Sequence, residues 1–310
     1  MSPRHGVNLR DHAGLGHVRP RRTARNLGMK DMRALVVGCG YLGSRVAALW
    51  QAAGHHVCVT TRDPSHADSF YGQGLHPILC DITQPATLKS LPEVDVLVCA
   101  VARARTANVS MHELYVDGLR ALLENVPPPA RWLHVSSSSV YEQTDGGWVD
   151  ETSATEPQEQ SGRVILEAEN VLNSLHPDAV VLRFSGIYGP GRWLRSQSLS
   201  AGEPIVGDME KWLNLIHVDD GAAAVAAAAD QAAPGQIYNI CDNEPVRRRA
   251  FYTLMAERLG APEPKFVLPA PGAPLPPHER GNRRIQNRRL REELGVVLAY
   301  PTYREGLTAR

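Results

Sequence analysis

Ala34-Leu-Val-Val-Gly-Cys-Gly-Tyr-Leu-Gly43 decides the fold. Four apolar residues run into glycines spaced as GxGxxG, and a helical pattern opens at the last of them, with Val46, Leu49 and Trp50 on one face. A dinucleotide's pyrophosphate needs peptide N–H donors at a helix start and a backbone that comes close, which a β-carbon would block. Gly38 is expected to make the turn, Gly40 to admit the phosphates and Gly43 to let helix and strand pack closely. Tyr41 and Leu42 complete this phosphate-binding turn.

Outward from this unit, short apolar runs alternate with helical stretches. Strands are expected over residues 34–37, 56–60, 78–80, 95–100, 132–135, 180–184 and 236–240. Helices are expected over 43–53, 112–125, 164–175, 219–230, 246–259 and 287–294, with 190–211 loop-like and 261–277 proline-rich and extended. This alternation predicts an α/β fold with a doubly wound parallel sheet of Rossmann type, because strands covered by crossover helices read as continuous apolar runs.

The chain has 310 residues, 43% apolar and 21% charged, the composition of an ordinary globular protein. Lys plus Arg and Asp plus Glu balance at 33 each, so no overall field draws in nucleic acid or an anionic membrane. The expected partner is a small-molecule substrate, with a homodimer as a further expectation. Cys39, Cys58, Cys80, Cys99 and Cys241 are scattered and lack a CxxC pair, which points to reduced thiols, no metal site and a cytoplasmic setting. Residues 1–30 carry Arg4, Arg10, Arg19, Arg21, Arg22, Arg25 and Lys30 against the single acid Asp11. They are expected to be a disordered leader or a mis-assigned start, with Met29 or Met32 as the alternative first residue. Residues 31–310 would then form one domain.

The end of the second strand bears on cofactor choice. NAD-binding units place an acid about twenty residues after the glycines, on the ribose 2′-hydroxyl. Here Arg62 stands in that neighbourhood and can clamp a 2′-phosphate, so NADP is expected, with NAD as the alternative and the adjacent Asp63 in its favour. Asp81 and Ile82 are candidates to border the adenine, and Ala100 and Ala102 are small enough for the cofactor to lie across the sheet edge.

Several further segments resemble the extended and atypical short-chain dehydrogenase/reductase superfamily, in particular its NAD(P)-dependent epimerase/dehydratase-like members. They are Ser136-Ser-Ser-Ser-Val-Tyr141, Leu182-Arg-Phe-Ser-Gly-Ile-Tyr-Gly-Pro190, Ile216-His-Val-Asp-Asp220, Ile237-Tyr-Asn-Ile240, and the C-terminal pattern from Asn287 through Gly295 and Pro301 to Leu307. The resemblance implies about seven strands and a small substrate lobe, formed mainly by 186–215 and 241–310. It also implies a catalytic Ser or Thr with a YxxxK pair. Ser137 keeps the serine. The helix that should read YGxSKxxxE reads Ser161-Gly-Arg-Val-Ile165-Leu-Glu-Ala-Glu169, which puts Ser161 in place of the tyrosine and Ile165 in place of the lysine. Tyr141 is the candidate replacement acid, with Tyr188 second and Glu142 an unusual neighbour. Tyr115 falls where extended members usually have an asparagine. For an anionic substrate the candidates are Arg192, Arg283 and Arg284. In the helix opening at 219, Asp219 and Asp220 are expected as caps. Two readings follow: an NADP(H)-dependent reductase, epimerase or dehydratase on a small or nucleotide-linked carbonyl or polyol, or an NADP(H)-binding sensor without turnover.

Overall fold

Seven strands line up side by side, all parallel, with the chain's first strand inside the sheet rather than at its edge. The computed structural model describes residues 31–103, 108–270 and 281–308; the leader 1–30 and part of the proline-rich stretch lie outside them. The strands are β1 (Arg33–Val37), β2 (His56–Thr61), β3 (His76–Leu79), β4 (Val96–Cys99), β5 (Arg131–Ser137), β6 (Val180–Phe184) and β7 (Ile237–Ile240). Their order is β7-β6-β5-β4-β1-β2-β3, the Rossmann arrangement. The order reverses between β1 and β4, which pair with Val37 opposite Cys99. Ligands of open α/β sheets sit in the crevice beyond such a reversal.

Alternate residues of β1 go to opposite faces, as a strand's twofold period requires. Ala34 and Val36 join one core with Val46 and Trp50 of α1 (Gly43–Ala52) and with Ala222, Ala228 and Ala229 of α7 (Val218–Gln231). Leu35 and Val37 join the other with Leu119 and Leu122 of α4 (Gly118–Asn125) and with Ala168 and Leu172 of α5 (Gln160–Leu175). Ala222, Ala224, Ala228 and Ala229 of α7 are buried, and these small side chains let α7 lie close against the sheet and α1.

Residues beyond β6 build a smaller body with its own apolar core of Tyr188, Leu199, Ile205, Leu215, Phe251, Tyr252, Met255 and Tyr303. Two short parallel pairings stitch it to the main sheet's end: Gly186–Tyr188 with Leu215–His217, and Arg284–Ile285 with Trp148–Val149.

Several local expectations change. Pro64–Gly72 is a helix, α2, capped by Asp63, whose carboxylate accepts from Ser65 N at 2.9 Å. It buries no residue, so it leaves no apolar period to read. Residues 190–211 hold a short helix, Ser196–Ser200, and a strand, Ile205–Val206. Val246–Arg247 pairs with Trp212–Leu213, so α8 starts at Arg248 and runs to Leu259. Residues Glu113–Asp117 form a wide π turn ahead of α4. His217, not an aspartate, caps α7; Asp219 pairs with Arg45 at 2.9 Å, and Asp220 accepts from Ala299 N and Tyr300 N at 2.8 and 2.9 Å.

Candidate active site

The three glycines differ in what a side chain would meet. At Gly43 a β-carbon would lie 2.3 Å from Gly38 O and 3.0 Å from Val36 Cγ1, so helix and strand touch there. At Gly38, with φ +90°, it would lie 2.8 Å from the backbone of Ala100 and Val101. At Gly40 nothing stands within 4 Å. The turn is held by Gly38 N donating to Thr60 Oγ1 at 2.9 Å and Gly40 N to Gly38 O at 2.9 Å. No side chain caps the start of α1, and Leu42 just before it is buried in the core. A bare backbone, an uncapped helix start and open space over Gly40 fit a pyrophosphate. Ala100 presses against this turn, and Ala102 follows it at the surface.

At the end of β2, Asp63 is taken up in capping α2, so the acid that counted against NADP is engaged in the helix. Arg62 stays half exposed, with Nη1 3.9 Å from Asp81 Oδ2. Asp81 uses its other oxygen to accept from Thr83 N at 2.9 Å and Thr83 Oγ1 at 2.7 Å. Ile82 is buried against Gly118 of α4.

A cavity of about 480 Å³ opens beyond the C-terminal ends of β5 and β6. Its wall brings together Ser137, Ser161, Glu142, Glu159, Trp212 and Arg283. Ser137 is the last residue of β5; its Oγ accepts from Ser139 N at 3.1 Å, which leaves its own O–H to donate elsewhere. Ser161 lies in the first turn of α5, next to Gly162, where a β-carbon would meet Ser139 O at 2.5 Å. That close contact holds the serine run against the helix. Ile165, one turn on, packs against the small apolar cluster of Val140, Tyr141, Val149, Cys241 and Ile285. Ile165, where the resemblance leads one to expect a lysine, is half-buried against that cluster.

Beneath the cavity runs a buried polar network. Arg183 donates from Nε and Nη2 to Glu169 at 3.1 and 2.7 Å, and Ser136 Oγ donates to Glu169 Oε1 at 2.5 Å. Arg183 Nη1 also donates to Tyr141 Oη at 3.0 Å, and Tyr141 in turn donates to Asn239 Oδ1 at 2.9 Å. Tyr141 is 1% exposed, and burial pushes its pKa up against the pull of Arg183. Tyr141 also lines the cavity, with its hydroxyl engaged by Arg183 and Asn239. Tyr188 lies fully buried in the second core, its pKa likewise raised by burial. Tyr115 accepts from Arg103 N at 3.0 Å.

The three candidate arginines part company. Arg192 is not in the cavity wall; its guanidinium lies 5.3 Å from the ring of Tyr41, whose hydroxyl donates to Pro190 O at 3.1 Å. Arg284 lies between Trp148 and Trp212, at 4.9 and 5.3 Å, and donates to Gly146 O at 2.8 Å, a structural clamp. Arg283 alone reaches the cavity, where Nη2 donates to Ser138 O at 2.7 Å. Glu159, Trp212 and Asn214, also in the wall, carried no sequence signal that singled them out. Burial pushes the Cys39 and Cys99 thiols up to about 12, so neither is a thiolate near neutral pH. Among the described residues, no helix is long and apolar enough to cross a membrane.

Comparison with known proteins gives a consistent picture. The model of the NAD dependent epimerase/dehydratase family matches residues 34–241. Protein YeeZ of Escherichia coli K12 is 32% identical over 248 residues, covering 76% of this chain and 86% of that protein. A Streptomyces protein named 3-diazoavenalumate denitrifying reductase is 27% identical over 317 residues, covering 89% of this chain and 99% of that one. A conserved protein of unknown function from Silicibacter pomeroyi DSS has a solved structure that superposes with a TM-score of 0.73 at 30% identity, over 89% of this chain and 97% of that one.

Proposed function

The chain belongs to the NAD-dependent epimerase/dehydratase family, and from that premise we propose that it is an NADP(H)-dependent reductase of a small carbonyl compound with a rebuilt active site. The observation that carries this reading is the cavity in which Ser137 and Ser161 stand together at the sheet's C-terminal edge. Its size is in the range of small-molecule sites, about 300–1,000 Å³. When bound, the nicotinamide supplies a hydride. Ser137 and Ser161 donate hydrogen bonds to the carbonyl oxygen and orient the carbon for that transfer. The relative that matches almost end to end bears a reductase name, which supports reduction over epimerisation.

Losing the tyrosine matters because a positioned general acid is worth about 10²–10⁴ in rate. The reading therefore favours activated carbonyls, which need less help from an acid. NADP is preferred to NAD because Arg62 remains at the end of β2 while Asp63 caps α2.

NADPH fluorescence tests this directly, first titrated with protein and then followed with a panel of activated aldehydes and ketones. Binding followed by oxidation of NADPH with at least one of them is expected. Failure of both NADPH and NADH to associate at millimolar concentration would remove the reading. A second reading rests on an isoleucine, packed against apolar neighbours, at the position where the resemblance leads one to expect a lysine: a protein that binds NADP(H) and senses it. Tight binding with no oxidation across the panel is its signature.

A further inference from the structure

Arg283 is fixed from three sides. Asn214 Nδ2 donates to Arg283 O at 3.0 Å, and Asn214 Oδ1 accepts from Ile285 N at 2.8 Å. Arg284 N donates to Gly147 O at 2.8 Å, which anchors the neighbouring peptide to the strand beyond β5. The side chain then reaches back and is tied through Nη2 to Ser138 O at 2.7 Å, one residue from Ser137. Its Nε is buried and has no acceptor among the described residues. The residue lines the cavity beside Ser137 and Ser161, so its guanidinium can meet an oxygen bound there. Glu142 lines the same cavity, and its charge helps keep the guanidinium protonated there against the pull of burial.

We propose that Arg283 is a catalytic residue of this site: its guanidinium holds the substrate's carbonyl oxygen and stabilises the negative charge that develops there, replacing from the C-terminal segment the cation that α5 no longer carries at Ile165. The inference rests on the reductase reading. Balance is straightforward. A hydride forms the new C–H bond at the carbonyl carbon, the C=O π pair moves onto oxygen, the dihydronicotinamide is oxidised and the carbonyl is reduced. The alkoxide held by Arg283, Ser137 and Ser161 takes its proton from water entering the open side of the cavity. Preorganised donors aimed at a developing oxyanion act without reorganisation at the moment of reaction.

The test uses a chromophoric carbonyl, 4-(dimethylamino)cinnamaldehyde, whose absorption moves to the red when a cation polarises its oxygen. With full-length protein saturated with NADP⁺, a red shift is expected. Arg283→Ala abolishes it, and Arg283→Lys retains part of it. In turnover, Arg283→Ala lowers kcat by about 10²–10³-fold, the range for losing one oxyanion donor. NADPH Kd stays within about twofold, and added guanidinium ion restores part of the rate, which a purely structural role would not allow. Arg283→Gln keeps a donor for Ser138 without the charge; it is expected to behave like the alanine variant and covers the case in which that variant fails to fold. No red shift in the wild type at saturating probe, or an unchanged shift in a folded Arg283→Ala or Arg283→Gln variant, overturns the proposal. A red shift that depends on Arg283 in a protein that reduces none of the panel upholds the oxygen site and overturns the reductase reading alone.

Discussion

The glycine turn after β1 and the serine corner after β5 sit on the same edge of one sheet, and they have been treated differently. The turn keeps every feature that a dinucleotide needs: the close backbone at Gly38, the space at Gly40, the tight packing at Gly43. The corner has its support, since Glu169 holds Arg183 and Ser136 beneath it, yet Ser161 and Ile165 stand where the family resemblance leads one to expect a tyrosine and a lysine. The lesson is that a scaffold position and a chemical position can lie one helical turn apart and change independently. Glu169 and Ile165 are four residues apart on α5; one is locked by a buried ion pair, the other packs half-buried against a small apolar cluster.

The largest expected effect tests whether that support is as fixed as the geometry indicates. Arg183→Ala strands Glu169 as a buried charge held by Ser136 alone and takes from Tyr141 the donor it accepts from; it should cost about 3–5 kcal/mol by urea denaturation. A loss below 1 kcal/mol would mean the corner does not depend on the network.

Next, paired glycine variants separate architecture from ligand binding within the turn. Gly43→Val forces a side chain against Gly38 O and Val36 and should destabilise by about 1–3 kcal/mol or more. Gly40→Ala has room in the folded protein, so its melting temperature should hardly move while NADPH binding weakens about tenfold, as expected for a group blocking close phosphate approach. Equal loss of stability in both would erase the distinction.

Smaller again is the cofactor preference. Arg62→Ala should weaken NADPH by about tenfold, the lower end for a charge-assisted hydrogen bond, while NADH stays within about twofold. Equal effects on both would return the choice of dinucleotide to NAD.

The smallest effect concerns pH and lies outside both regions. Asp242 is buried in the second body with its Oδ2 unpartnered, and burial pushes its pKa well above the ordinary 3.8. An acid whose pKa is raised by folding contributes its full stability below 3.8 and loses it as pH rises towards the folded value, because the unfolded chain ionises first. Asp242→Asn should flatten the fall in melting temperature as pH rises above 3.8. An unchanged slope would show that this carboxyl carries no proton.

Most of the sheet was legible because its strands are buried on both faces and read as unbroken apolar runs, Val96 to Cys99 among them. Helix α2 was not, since it buries nothing, and the start of α8 was misplaced because Val246 and Arg247 pair across to a distant strand. At the site, Ser137 could be found by its place in a serine run, but Arg283 and Arg284 could not be told apart. Adjacent residues at a strand face opposite ways, so one reaches the cavity and the other is clamped between two tryptophans. Neither composition nor spacing encodes which.

The strand Arg284–Ile285 pairs with Trp148–Val149, so the chain's last segment closes a corner begun more than a hundred residues earlier. On the ribosome these two parts are completed at different times. An emerging chain can form the nucleotide turn early, but the corner is finished only after the C-terminal segment has left the exit tunnel. The order of synthesis thus completes the glycine turn's own segment well before the corner.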